Sequence, residues 1–366
     1  MTSTTTPDQA AQSARSANGV ERRPSLLQSV FQSRELVILG VLVLEILIFA
    51  AIDARNPGGA HFVSPNSLLG SARSVALIGI AAVGASMVIV SGGIDLSPGA
   101  VYGLSGVTFV LLLAHPFSPW IAILGAIAVG VGFGAINGSA IAFFRIPPFI
   151  VTLGTLGIAR GLVFLVSGGQ QLPSTTNPLD DAANNLLNTL DTHFFHKPGF
   201  IGINVGFIAM IALAIVFSIW LQSTRSGRYI VAIGGSEQVA RFAGVKVETT
   251  KVLVYVLAGL LASFSGIFYV ARYGGISSSQ GPGDELNIIA AAVVGGVSLT
   301  GGKGSPLGAI VGALIIQVLN DGLVFNEVPQ AGAQIAVGVF IILAVLIDRL
   351  VNSLRSRRTA PITGRP

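Results

Sequence analysis

Ten apolar stretches, each almost free of charge, follow one another through this chain, and no water-facing fold can hide them all. A membrane-spanning helix takes about 20 mostly apolar residues, fewer where it is interrupted inside the protein. By that measure the stretches run from Leu36 to Ile52, Leu68 to Val90, Ser97 to Ala114, Trp120 to Phe144, Phe149 to Val166, Phe200 to Leu221, Val252 to Val270, Leu286 to Leu299, Pro306 to Val324 and Ala331 to Ile347. Only 10% of the 366 residues are charged, against about a quarter in soluble domains. The surface these stretches require is therefore lipid. The expected fold is an all-α polytopic membrane protein of about ten transmembrane helices, with a broken or re-entrant segment and an internal repeat.

An even number of spans puts both termini on one side. Arg15, Arg22, Arg23 and Arg34 lie before the first stretch and Arg349, Arg355, Arg357, Arg358 and Arg365 after the last, which marks that side as cytoplasmic. The same count puts Arg145, the polar segment 225–251 and Lys303 inside, and the loop 168–199 outside, where Asp180, Asp181 and Asp191 outnumber Lys197. Residues 1–35 read as a polar cytoplasmic tail without the apolar core of a signal peptide. Residues 36–350 form the membrane domain, and 351–366 a basic cytoplasmic tail. The pI near 9.9 reflects basic residues set beside apolar spans, a pattern of membrane orientation that argues against nucleic acid as a partner. There is no cysteine. His193 and His196 read as a solvated loop pair, and no metal site is expected.

The sequence SGGIDLSPG, Ser91 to Gly99, interrupts an apolar run. Non-helical backbone at membrane depth survives only where protein or a water-filled cavity surrounds it. Ser91, Gly92, Gly93, Asp95 and Ser97 are accordingly candidates for pathway lining or gating, with helix capping by Asp95 and the two serines as the plainer alternative. A related run, Gly295-Gly296-Val297-Ser298-Leu299-Thr300, resembles Gly92 through Ser97 and extends the candidates to Gly295 and Gly296. Such repeats underlie many transporters. Glu45, Arg160 and Asp321 also lie within apolar spans, where ionisable groups face the bundle interior; Arg73 or Arg160 is the expected partner of Glu45. Asn137, Gln317 and Asn320 can bond a substrate hydroxyl or a neighbouring helix, and Asn137 joins the pathway candidates. Gly130, Gly134 and Gly138 form a stripe suited to close helix contact.

Two local patterns resemble nucleotide-binding motifs and fail. VSGGQ, Val166 to Gln170, looks like a cassette signature, and GGKGS, Gly301 to Ser305, like part of a phosphate loop. The phosphate loop G-x-x-x-x-G-K-[ST] would need glycine where Val297 stands and a hydroxyl where Gly304 stands. The chain is therefore expected to be no enzyme and to bind no cofactor of its own.

The segment 225–251 reads RSGRYIVAIGGSEQVARFAGVKVETTK. Ser236 is a good N-cap, Glu237 suits the first turn, and Gly244 closes the last. The spacing predicts a helix of about two turns, roughly 12 Å long, too short to persist without a packing partner. Val239, Ala240, Phe242 and Ala243 give it an apolar side, with Glu237 and Arg241 beside it.

GRYIVAIGGSEQVARFAGVKVETTK, SGGIDLSPGA, RIPPFIVTLGTLGIARGLVFLVSGG and AAAVVGGVSLTGGKGSPLGAIVGALIIQVLNDGL, in that order, resemble the permease subunits of bacterial ATP-binding cassette importers for ribose and related monosaccharides. The resemblance covers nearly everything from Leu36 to Leu350. It implies a multi-pass protein of the bacterial inner membrane and a homodimer of permeases. It also implies a cassette ATPase that uses ATP and Mg, and a periplasmic or lipid-anchored sugar-binding protein. Gly235, Ser236, Glu237, Ala240, Arg241, Phe242 and Gly244 would then form the coupling helix seated in the ATPase. Family members often carry Asn at the position of Ser236 and Val at that of Pro98. The rival class is an ion-coupled secondary sugar transporter using Glu45 or Asp95 as a relay. Tyr102, Phe149, Phe164, Tyr269 and Tyr273 can each stack on a sugar or pack a core.

Overall fold

The computed structural model describes residues 34–55, 61–115, 117–174, 178–194, 202–329, 331–343 and 346. Of the tails expected at 1–35 and 351–366, residues 1–33 and 351–366 lie outside them, as do Arg349, Lys197 and His196, whereas Arg34 opens the first helix. In chain order the elements are α1 (Arg34–Asp53), α2 (Pro65–Val90), α3 (Pro98–Leu113), α4 (Pro119–Phe143), α5 (Pro148–Ser167), α6 (Asp181–Leu190), β1 (His193–Phe194), β2 (Ile203–Asn204), α7 (Val205–Ser223), α8 (Arg225–Gly235), α9 (Glu237–Phe242), α10 (Val247–Tyr273), α11 (Asp284–Val294), α12 (Pro306–Phe325) and α13 (Ala331–Leu343). Every one of the ten apolar stretches contains a helix. Six of these, α2, α4, α5, α7, α10 and α12, are long and apolar enough to cross a membrane by length and composition, and α3 and α13 are shorter apolar helices. The protein is thus a multi-pass helical membrane protein.

Proline sets several of the starting points. Pro65, Pro98, Pro119, Pro148 and Pro306 each stand in the first turn of a helix, where the missing N–H removes nothing and the fixed φ suits the helix. Between α4 and α5 the chain turns at Arg145, which sits at φ 55 ahead of the two prolines of RIPP.

Two helices fill the centre. Over its most apolar 18 residues α2 is 78% buried and α10 56%, whereas α4 and α5 are each 22% buried and present their remaining side chains to the surroundings. The main core joins α2, α7, α10, α11 and α12 around Ile80, Met87, Met210, Tyr255, Ile288 and Ile316. A second cluster joins α3, α4, α5 and α6 to the far end of α10 through Phe109, Val110, Ala159, Ile267 and Val270. The glycine stripe works as expected. A Cβ on Gly130 would lie 2.1 Å from the Gly259 carbonyl oxygen, one on Gly134 2.4 Å from that of Tyr255, and one on Gly138 2.7 Å from Val252 Cα. Backbone meets backbone along the whole α4–α10 crossing, so larger side chains there would force the helices apart.

Three expectations need correction. The loop 168–199 is not simply polar coil: it holds α6, capped by Asp180 accepting from the Ala183 amide at 2.7 Å and burying Ala183 and Leu187, and its end pairs β1 with β2. Glu45 does not pair with Arg73 or Arg160. Arg73 bonds Asp191 at 3.0 Å and Arg160 bonds Glu285 at 2.7 Å, and the Glu45 carboxylate, though buried, makes no hydrogen bond among the described residues. The reason is placement: α1 lies along α12, with Phe49 over Gly322, and each arginine has its own carboxylate. Finally, the polar segment is two helices, not one.

Candidate functional site

The site grows from one helix end. At the end of α2, Ser91 N bonds Met87 O, Gly92 N bonds Ile89 O and Gly93 N bonds Val88 O, with Gly92 at φ 82. This is the Schellman closure, in which a left-handed glycine lets two amides turn back onto orphan carbonyls. The chain then runs without helix to Pro98. Burial of the carboxylate at Asp95 is near complete, at 5% exposure. Its Oδ1 accepts from the Ser97 amide at 2.8 Å and the Ser97 hydroxyl at 2.6 Å. Ser97 Oγ in turn accepts from Asn137 Nδ2 at 3.0 Å, and Asn137 Oδ1 accepts from Thr155 Oγ1 at 2.7 Å. One relay of hydrogen bonds therefore ties the break to α4 and α5. No ion pair reaches Asp95 among the described residues. A buried polar group without its partner costs about 1–3 kcal/mol, so this relay holds the break in one conformation.

The polar segment meets the break from below. Thr224 caps α8 by accepting from the Gly227 amide at 3.1 Å, and Ile230 and Ile233 anchor it. At its end Gly234 touches Val90: a Cβ there would lie 1.8 Å from the Val90 carbonyl oxygen and 2.5 Å from Gly302 N. Gly302 N donates to that same Val90 oxygen at 2.8 Å. A Cβ on Gly301 would stand 2.7 Å from Gly234 O and 3.1 Å from Gly92 Cα. Three chain segments thus converge through glycine alone, so close that no side chain fits between them.

From this junction α9 projects. Ser236 accepts from the Val239 amide at 3.4 Å, and Ala243, Gly244 and Val245 repeat the Schellman bonds onto Val239, Arg241 and Ala240, with Gly244 at φ 81. The helix has six residues, about 9 Å, so it is shorter than its apolar pattern predicts because Ala243 and Gly244 already belong to the closure. Its apolar side divides in two. Ala240 turns inward onto Ile233 and Val247, while Val239 at 65% and Phe242 at 81% exposure point away from the protein. Around them Glu237 bonds Lys251 at 2.6 Å and Arg241 at 3.2 Å, and Arg241 bonds Glu248 at 2.7 Å. The Lys251 ammonium, with Arg241 contributing, holds the Glu237 carboxyl below its usual range.

A cavity of about 230 Å³ opens between these parts, lined among others by Ser91, Gly92, Gly93, Gly234, Ser236, Glu237 and Tyr255. It brings together the first three pathway candidates and two coupling candidates. Asp95, Ser97 and Asn137 sit behind its wall in the relay. Gly295 and Gly296 are elsewhere: Gly295 lies on Gly308 where α11 crosses α12, and Gly296, at φ 90, faces Ile38. Sequence reasoning missed Gly234, Gly301, Gly302, Lys251, Thr155 and Tyr255 as parts of one site. The paired glycines were the available signal, since each pair lies next to a polar break.

Residues 67–347 match the family described as "Branched-chain amino acid transport system / permease component". The ribose import permease protein RbsC of Bacillus subtilis (strain 168) is 35% identical over 311 residues, 85% of this chain and 91% of that protein. The fructose import permease protein FrcC of Rhizobium meliloti is 32% identical, covering 87% and 86% of the two chains. The L-arabinose ABC transporter permease protein AraH of Azospirillum brasilense is 31% identical, covering 86% and 88%.

Proposed function

The chain belongs to this transport-system permease family, and from that membership we propose that it is the membrane-spanning subunit of an ATP-driven importer that carries a monosaccharide or related polyol across the bacterial inner membrane. Relatives named for ribose, fructose and arabinose support the substrate class. On this reading a second copy of the chain completes the pathway, a sugar-binding protein delivers substrate from outside, and a separate cassette ATPase supplies the energy with ATP and Mg. Both termini face the cytoplasm, and the two glycine-flanked breaks are related parts of an internal repeat.

The observation that carries the coupling assignment is the pair Val239 and Phe242. A six-residue helix held by its own caps and ion pairs presents a bare aromatic ring at 81% exposure, a surface that suits a protein cleft. Through α8 the same helix ends on the Val90–Gly234–Gly302 junction, so a push on α9 reaches the break at Asp95 through backbone contacts. Rigid-body displacement of such an element opens one side of the pathway as it closes the other. Replacing Phe242 with Asp should abolish sugar uptake while leaving the permease in the membrane at normal level. Normal uptake by that variant rejects the coupling role. The ion-coupled alternative predicts uptake by this chain alone, collapsed by an uncoupler and indifferent to any ATPase.

A further inference from the structure

A second cavity, of about 270 Å³, lies among α2, α3, α10, α11 and α12. It is separated from the first by roughly 15 Å of helix at 1.5 Å per residue, since Tyr255 of α10 lines the lower cavity and Ser265 the near end of the upper. α2 passes both, with its C-cap Ser91 below and Ser74 above. Between them the core of α2 and α10 is closed. The two cavities are therefore successive chambers along the same pair of central helices.

The upper chamber is lined unlike a packing defect. Tyr102 donates its hydroxyl to Asp284, Gln280 Nε2 donates to the Tyr102 oxygen at 3.0 Å, and Tyr269 donates to Gln280 Oε1 at 2.8 Å. Across the chamber Gln317 Nε2 donates to Asp321 Oδ1 at 2.9 Å. Hydroxyls, amides and carboxylates each keep capacity beyond these bonds, because an amide carries two donors and two lone pairs and a carboxylate several acceptor sites. Polar groups at membrane depth are costly and occur where a ligand or water meets them. The rings of Tyr269 and Tyr273, with centroids 4.6 Å apart, add an apolar wall.

We propose that this chamber is a transit site for a neutral polyhydroxylated ligand of pentose or hexose size, resting on the importer reading above. Most carbons of such a ligand carry a hydroxyl that both donates and accepts, matching a lining that mixes both functions, and its C–H face suits the tyrosine wall. An amino acid is disfavoured. The cation at its edge, Arg272, is already engaged by the Ser74 hydroxyl at 3.1 Å and the Tyr273 ring, and Asp284 and Asp321 would oppose a carboxylate. Phe149 and Phe164, the other aromatic candidates, stand outside at 53% and 64% exposure. Tyr102, Tyr269 and Tyr273 are the three that converge.

The test uses the complete transporter in vesicles, with permease, ATPase and binding protein, and D-ribose, D-xylose, D-fructose and L-leucine as probes. Gln317→Leu and Tyr269→Phe keep roughly the side-chain size while removing hydrogen bonds. Each should lower sugar uptake about tenfold and alter the ratio of pentose to hexose uptake, while ATP hydrolysis stimulated by loaded binding protein persists. Uptake and sugar ratio equal to wild type in both variants overturn the chamber assignment and leave the importer reading intact. A wild-type system that takes up leucine, or none of the sugars, overturns that reading and the chamber assignment with it.

Discussion

The helix ends at 91–93 and 295–297 are closed by the same backbone bonds and then do opposite things. In the second, Gly295, Gly296 and Val297 bond back to Ala291, Val293 and Ala292, in the pattern that Ser91, Gly92 and Gly93 make onto Met87, Ile89 and Val88. Gly92 at φ 82 therefore corresponds to Gly296 at φ 90, one residue out of step with the sequence match. After the first closure the chain enters the interior, where a buried carboxylate is bonded through Ser97 and Asn137 to two further helices. After the second, Leu299, Thr300 and Lys303 face outward, and Gly302 reaches back to the Val90 carbonyl of the first. One break is held by side chains, the other serves as its backbone clasp. The same cap can thus precede a break held by side chains or a backbone clasp, depending on whether the next residues turn inward or outward.

The largest effect should come from the point where both meet the polar segment. Gly234→Ala puts a Cβ 1.8 Å from a backbone oxygen, and overpacking of this kind costs about 1–3 kcal/mol; thermal unfolding of the purified permease should fall markedly and uptake with it. Gly235→Ala, with nothing within 4 Å, should stay within ~0.5 kcal/mol of wild type. Equal behaviour of the two would mean that no tight junction exists.

Next comes the contrast between the breaks themselves. Asp95→Ala strands the Ser97 amide and hydroxyl and should cost about 1–3 kcal/mol. Ser298→Ala, at a position whose side chain bonds only Thr300 among the described residues, should change stability by less than ~0.5 kcal/mol. Unfolding midpoints measured in parallel decide whether the first break alone depends on its side chains. A smaller effect separates the two left-handed glycines. Alanine in that conformation costs about 1–2 kcal/mol. Gly92→Ala should lie at the low end, its nearest neighbour being Gly234 Cα at 3.7 Å, and Gly296→Ala higher, because its Cβ meets Ile38 Cδ1 at 2.9 Å.

The smallest effect belongs to Glu237. Its folded carboxyl lies below the usual range because of Lys251, so the ion pair contributes fully above an unfolded value of about 4.3 and is lost only as pH falls through the lower folded one. Half-exposed pairs are worth at most ~1 kcal/mol. Lys251→Met should weaken the protein by no more than that at neutral pH, and the difference from wild type should be constant from pH 7 to 5 and shrink below pH 4.

Much of this was legible in the sequence because membrane folds write their demands locally. Apolar stretches locate the helices, the stripe of Gly130, Gly134 and Gly138 marks the closest crossing, and Ser236 with Gly244 brackets α9. What stayed hidden depends on tertiary placement. The surroundings of Glu45 cannot be read from its span, because α1 packs on α12 and both arginines pair elsewhere, with Asp191 and Glu285. The α8 helix escaped because its polar face masks the spacing of Ile230 and Ile233, though Thr224 as N-cap announces it. The register of the two breaks slipped by one because sequence likeness aligns the first glycines, whereas backbone geometry aligns the left-handed ones.

The central claim is that α9 seats the energy-supplying subunit and that the junction behind it carries the motion. Because the chain contains no cysteine, Phe242→Cys gives a single thiol that a water-soluble maleimide can report. Rapid labelling of the permease alone, and strong protection once the ATPase complex is assembled, is the predicted result. Labelling that proceeds equally fast in the assembled complex would contradict the claim.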